Sequence, residues 1–419
     1  MARRFFVDIT PLRSSRQYRL LFSGQIVSLI GRQLTVVAAP IQVFQLTGST
    51  LAVGLLGLAQ FPALLLGSIL GGTLSDAMDR RRLLVVTQVL LGATTVGLAL
   101  NASLSAPSTT AVYALTAANA LLSGIDAPAR TASVPRLVPT SLLPAAYALQ
   151  VLMFQSATAV GPAIAGVVIA QVSIAAAFWV DTATFAVALL TLLLMKPLAA
   201  PEDGARPGFR SIVEGIRFLR TKQELKGVFV IDINAMVFGM PRALFPEIGI
   251  EVLGGGAATV GLLFAAPGIG ATVAALTSGW VARIRRAGIA TTVAVVVWGL
   301  GVAAFGVTSS VALAVVFLAL AGAGDAVSAV FRQTILQVTT PDRLRGRLSA
   351  VQIAVVAGGP RIGDAEAGVV AAGFGPRIAA WSGGLASALG AIVVARVLPR
   401  FRTWTVPNTE TSSELDVRE

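Results

Sequence analysis

Apolar runs follow one another along the chain from about residue 18 to residue 398, separated by short polar turns and clusters of arginine. A helix needs ~20 mostly apolar residues to cross the hydrocarbon core of a bilayer, and a buried core helix is usually shorter. The runs predict twelve spans, near 18–46, 50–76, 83–104, 108–129, 144–170, 174–195, 225–248, 257–281, 288–308, 310–331, 347–373 and 376–398. Several contain Gly and Pro, which bundle helices tolerate when neighbours satisfy the freed backbone groups. The pattern divides the chain into a lead (1–17), a six-helix bundle (18–195), a linker (196–224), a second six-helix bundle (225–398) and a tail (399–419). In the linker Phe209, Ile212, Val213, Ile216 and Leu219 recur at helical spacing, which predicts an amphipathic helix on the membrane surface. The polar stretch Thr403–Glu419 is expected to be disordered.

The two bundles repeat. At an offset of 202 residues Arg130 falls on Arg332, Pro139 on Pro341, Leu142 on Leu344, Ala148 on Ala350 and Gln150 on Gln352. The same offset lays GPAIAGVV (161–168) on GDAEAGVV (363–370), with six of eight residues identical. Paired repeats of this kind build secondary transporters, with the substrate site near the midplane between them.

Composition agrees. Hydrophobic residues make up 55% of the 419 and charged ones 12%, with mean hydropathy +0.80; soluble domains carry about 25% charged residues. There is no cysteine and no histidine, which excludes disulfides, thiolate metal sites, Cys nucleophiles and a Ser-His-Asp hydrolase. No enzyme, metal or cofactor is expected, and proton chemistry must run through carboxylates. The net charge of +12 has a topological origin. All basic residues but Arg32, Arg242, Arg361 and Arg377 fall in segments on one side of the predicted spans. Both termini are then cytoplasmic, and no nucleic-acid partner is implied. The first 19 residues hold no apolar run before a cleavage site and read as a basic cytoplasmic lead rather than a signal peptide.

Two motifs carry a family resemblance. GGTLSDAMDRRRLLV, after the second span, places Gly72, Asp76, Arg80 and Arg81 as G-x-x-x-D-x-x-x-R-R. Gly72 would let two helices approach closely, and Asp76 could pair with arginines or cap a helix N-terminus, forming a latch made and broken during motion. This resembles motif A of the major facilitator superfamily, with Ala77 for the usual basic residue and Asp79 for the usual glycine. The second-half counterpart keeps Gly279, Arg285 and Arg286 but has Arg283 in place of the acid, so that latch reads as degenerate. GPAIAG in the fifth span resembles motif C of that superfamily's antiporters, through Gly161, Pro162 and Gly166. A generic Gly/Pro packing face would need the same residues. YRLLFSGQIVSLIG, DAPARTASVPRLVP and FRQTILQVTTPDRLRGRLSAVQ extend the resemblance, over about residues 10–400, to the enterobactin-exporter-like branch. The resemblance implies the major facilitator fold: an all-α polytopic membrane protein of twelve helices in two pseudo-symmetric bundles. It implies a monomer in the bacterial cytoplasmic membrane. The expected function is export of a small siderophore-like or drug-like molecule by alternating access, exchanged for protons and driven by the proton gradient. Uptake of a metabolite is the alternative, and a non-transporting receptor or scaffold is a more distant one. No P-loop or channel filter supports an ATP motor or a channel.

A charge at the bilayer centre costs about 2.5–3.5 kcal/mol on insertion scales. Ionisable residues inside spans are therefore functional candidates, weighed against ion pairs that merely fix packing. Asp232, Asp364 and Glu366 are the candidate proton carriers. Arg32, Asp126, Arg242, Asp325 and Arg361 are the candidate cavity residues, and Arg32 suits an anionic substrate or a counter-ion for Asp232. Arg361 and Asp364, three apart in the eleventh span, are expected to pair, leaving Glu366 on another face. Asp181, in the peripheral sixth span, reads as a packing contact.

Overall fold

The computed structural model describes residues 8–198 and 217–406. Twelve long helices carry the architecture: α1 (Arg16–Thr47), α2 (Thr50–Ala77), α3 (Arg80–Ser103), α4 (Thr109–Leu137), α5 (Leu143–Gln171), α6 (Ile174–Leu193), α7 (Gln223–Phe238), α8 (Gly256–Leu276), α9 (Ala287–Val307), α10 (Val311–Thr339), α11 (Asp342–Phe374) and α12 (Pro376–Val397). Among the described residues ten segments are long and apolar enough to cross a membrane, one of them comprising α7 and the turns that follow it to Val252. The other two long helices, α4 and α11, interrupt their apolar sequence with Asp126 and Arg130, and with Arg361, Asp364 and Glu366. The protein is a multi-pass helical membrane protein.

Local chemistry sets the helix starts. The side chains of Ser15, Ser49, Ser108 and Ser173 each accept from the backbone N–H three residues on, at the third position of the following helix. Asp79, the departure from motif A, does the same: its Oδ1 accepts from Arg82 N at 2.8 Å and caps α3. Gly48, at φ +59°, ends α1 in the left-handed conformation that glycine takes without steric cost.

The seventh span is not one helix. It stops at Phe238 and resumes as short turns from Arg242 to Val252. Pro241 has no N–H to offer. The carbonyl of Gly239 is met by Trp298 Nε1 at 2.8 Å, and Ala243 N by Asp364 Oδ1 at 3.0 Å. The break is thus held by α9 and α11.

Helices α1–α6 pack together as one half, and α7–α12 as the other. The turns near 48, 105, 172, 254, 309 and 375 share one face, termed distal; the opposite face is proximal. The predicted amphipathic helix lies outside the described residues, apart from its last turn at 217–219. Of the stretch expected to be disordered, residues 403–406 are described and pair with the chain, contrary to expectation: Val406 N donates to Arg285 O at 2.9 Å and Gly288 N to Trp404 O at 3.4 Å. Just before it, Phe401 is fully buried against Gly227 and Gly288, where a side chain would collide with it.

Candidate functional site

Helices α1 and α4 line a partly open cavity of about 140 Å³, formed by Gln25, Ser28, Leu29 and Arg32 from α1 and Ser123, Asp126, Ala127, Arg130 and Thr131 from α4. The α4 residues recur every three or four positions and form one stripe. Asp126 and Arg130 are 2% and 7% exposed and form an ion pair one helical turn apart. Arg130 Nη2 also donates to Gln88 Oε1 at 2.7 Å, and Thr87 Oγ1 donates to Asp126 Oδ1 at 2.9 Å. Arg130 does not lie in a loop after the fourth span, as the pattern predicts. Helix α4 continues through Pro128 and Pro135 to Leu137, and neighbours inside a bundle can serve the groups that proline frees.

Arg32 differs from its neighbours. Its Nε is buried without a hydrogen-bond partner, and it forms no ion pair with a described residue. Nearby Asp181 is engaged elsewhere, by Thr35 Oγ1 at 2.5 Å and Thr184 Oγ1 at 3.3 Å. It is 1% exposed and ties α1 to α6, a packing contact.

The second half carries the counterpart. Arg332 lies within α10 and is 4% exposed, not in the loop where the apolar pattern ends. Its Nη1 lies 2.9 Å from Asp232 Oδ1 on α7, and its Nη2 3.5 Å from Asp325 Oδ1 on its own helix. So Arg332, not Arg32, is the counter-ion of Asp232. Both symmetry-related arginines meet the residue four positions before them, Asp126 in one half and Ser328 (3.1 Å) in the other. One half therefore pairs an arginine with an acid of its own helix; the other takes its closest acid from across the bundle.

Towards the distal face the halves touch at two crossings related by the repeat. At α5–α8 a Cβ on Gly261 would lie 2.6 Å from Pro162 O and from Gly166 Cα. At α2–α11 a Cβ on Gly54 would lie 2.3 Å from Asp364 O, and one on Gly368 3.4 Å from Gly54 Cα. Pro162 and Asp364, like Gly166 and Gly368, correspond at the 202-residue offset. Motif C thus supplies one of the two backbone-to-backbone contacts between halves, while Gly161 packs on Gln33 of α1. Glu247, in the turns after α7, accepts a short hydrogen bond from Thr50 Oγ1 across the same face. Nothing in the sequence pattern singles out that pair.

The expected Arg361–Asp364 pair is absent among the described residues. Asp364 accepts from Ala243 N, and Arg361 Nη1 donates to Ala357 O at 2.5 Å. A backbone N–H freed by the α7 break competes for the carboxylate. Arg361 Nε is buried without a partner, and Arg242 is exposed at the same break. Glu366 is half-buried and makes no hydrogen bond or ion pair with a described residue.

The motif A segment lies on the proximal face. Arg80 Nη1 donates to Ala132 O at 2.7 Å, and Arg81 binds Leu192 O and Leu193 O at 2.9 and 2.7 Å. Arg81 therefore caps the end of α6, and Arg80, whose Nε also donates to Ser75 O at 3.3 Å, ties the end of α2 to α4, all within one half. Asp76 makes no ion pair with a described residue. Gly72 is not the close-approach glycine: a Cβ there meets nothing within 4 Å, whereas Gly67 and Gly71 pack on the α4 backbone. Gly279, its counterpart, is equally open, and Leu276 beside it is 81% exposed. No close contact between the halves is made at either of these two glycines.

This arrangement has relatives. The family profile described as "Transmembrane secretion effector" matches residues 7–417. The enterobactin exporter EntS of Citrobacter koseri is 28% identical over 403 residues, covering 96% of this chain and 97% of that one. EntS of Shigella boydii is 29% identical over 398 residues, 95% of each chain. Among solved structures, a bacterial homologue of the human lysosomal transporter Spinster superposes with TM-score 0.73 at 14% identity, over 94% of this chain and 99% of that one. The nucleoside transporter NupG gives TM-score 0.73 at 11% identity, over 91% and 98%. A distally closed pair of helical halves, carrying motifs A and C and matched along nearly its whole length, belongs to the transmembrane secretion effector family of major facilitator transporters, in its enterobactin-exporter-like branch.

Proposed function

We propose that the protein exports a small siderophore-like or drug-like molecule from the cytoplasm across the bacterial cytoplasmic membrane, in exchange for protons. The observation that carries this reading is the Asp232–Arg332–Asp325 cluster joining α7 to α10: one buried arginine set between two carboxylates. A single cation cannot neutralise two acids, so the cluster can take up one proton. Protonating Asp232 weakens its hold on Arg332 and lets α7 and α10 separate. Alternating access then moves the cavity from the proximal to the distal side. In this reading all twelve long helices span the bilayer, α7 together with its following turns, and the two six-helix halves rock as bodies. The proximal face, with both termini, is cytoplasmic, and the working unit is a monomer in lipid. Export is favoured over uptake because the motif C helix forms one of the two distal crossings, and because the matched relatives are exporters of enterobactin.

The test uses proteoliposomes with enterobactin as the probe. An imposed proton gradient should drive enterobactin accumulation by the wild type. Asp232→Asn should retain gradient-free exchange and lose gradient-driven accumulation. Asp364→Asn and Glu366→Gln are the parallel variants. If all three still couple, proton antiport through these acids is wrong.

A further inference from the structure

We infer that Arg32 is the anion-recognition residue of the cavity between α1 and α4, and that it takes one acidic group of the transported molecule. The inference deepens the export reading above and rests on it. A guanidinium presents five N–H donors in a fixed plane. Arg32 sits in the cavity wall with Nε buried and unpartnered. An unpaired buried charged donor is costly and calls for an acceptor. The acids around it are already engaged: Asp126 by Arg130 and Thr87, and Asp181 by Thr35 and Thr184. The cavity lining itself holds two arginines and one carboxylate, with Asp181 outside the lining and turned to Thr35 and Thr184.

Size narrows the ligand. Pockets for whole drug-sized molecules measure about 300–1,000 Å³, and this cavity is about 140 Å³. It admits an acidic group with the ring that bears it, while the rest of a larger substrate lies between the halves. The planar fork favours a carboxylate or a comparable flat anion, which it can grip through two parallel hydrogen bonds.

The purified full chain in a neutral detergent, titrated calorimetrically with benzoate and with its uncharged isostere benzamide, tests this. The wild type should bind benzoate saturably and at least tenfold more tightly than benzamide. Arg32→Gln should lose tenfold or more in benzoate affinity with benzamide unchanged, and Arg32→Lys should keep part of the preference. Wild-type protein that does not bind benzoate, or binds both equally, overturns the inference. So does an Arg32→Gln variant that binds benzoate like the wild type. If Arg32→Gln does not fold, the wild-type ratio and Arg32→Lys still decide. Binding is read without transport, so benzoate selectivity with no proton-driven flux would refute proton-coupled export and leave the anion site standing.

Discussion

At the scale of single residues, the ions inside this bundle are not equivalent. Asp126–Arg130 is an ion pair of one helix, supported by Thr87 and Gln88 of α3. Removing one partner of such a buried pair leaves the other charge uncompensated, at a cost of about 3–5 kcal/mol. Arg130→Ala should therefore lower stability by about that amount, measured as the thermal unfolding midpoint in detergent. The double variant Asp126→Asn/Arg130→Gln should recover a large part of the loss. Equal losses in the two variants would mean that packing rather than charge holds the site. Asp126, Asp232 and Asp325 stand out as acids in apolar sequence. Arg130 and Arg332 read as loop residues, because an arginine near a proline or at the end of an apolar run is the usual sign of a helix end. The 202-residue repeat that aligns them was the available signal of a shared role. The Arg361–Asp364 spacing permits a pair, yet the N–H of Ala243 from a different helix wins the carboxylate. No local pattern could foresee that competitor.

At the scale of elements, two glycine crossings close the distal face. Gly261 on Gly166 and Gly54 on the Asp364 carbonyl bring backbones together where a methyl group would clash. A larger side chain at either crossing should hold the distal face open. The chain lacks cysteine, so an introduced one reports without background. Ala165→Cys, buried at the α5–α8 crossing, should react slowly with a membrane-impermeant maleimide. Adding Gly261→Leu should speed that reaction at least tenfold. Unchanged labelling would show that the glycines are not what seals the face. Motif C was legible as a Gly/Pro run with a close-packing purpose. Its partner Gly261 was not, since a glycine in an apolar helix looks the same whether it faces lipid or another backbone. Motif A shows the converse: Gly72 was legible, and no close contact is made there.

At the scale of the whole molecule, the structure places inter-half contact on the distal side and leaves Gly72, Gly279 and Leu276 open on the proximal side. Alternating access predicts that these swap. Spin labels at Leu152 and Leu276, exposed residues of the two halves on the proximal side, should approach each other when enterobactin and a proton gradient are supplied to proteoliposomes. Labels at Val172 and Glu251, both exposed on the distal side, should move apart. A pair within one half, Leu152 and Leu193, should keep its distance. Double electron–electron resonance reads all three. A change in the third pair as large as in the first two would rule out rigid halves.

By itself the sequence determined that the chain is helical and membrane-spanning, that its two halves repeat, and which transporter family it resembles. These follow from hydropathy over ~20-residue windows and from residue identity at fixed spacing, both properties of the chain taken in order. Which charge meets which was decided only by the tertiary structure. Asp232 lies 100 residues before Arg332 in the chain and 2.9 Å from it in space. Arg32 is left unpartnered because Asp126 and Asp181 find closer partners on other helices. Ion pairing in a bundle depends on helix rotation and depth, and those are set by packing among the helices together rather than by any one of them.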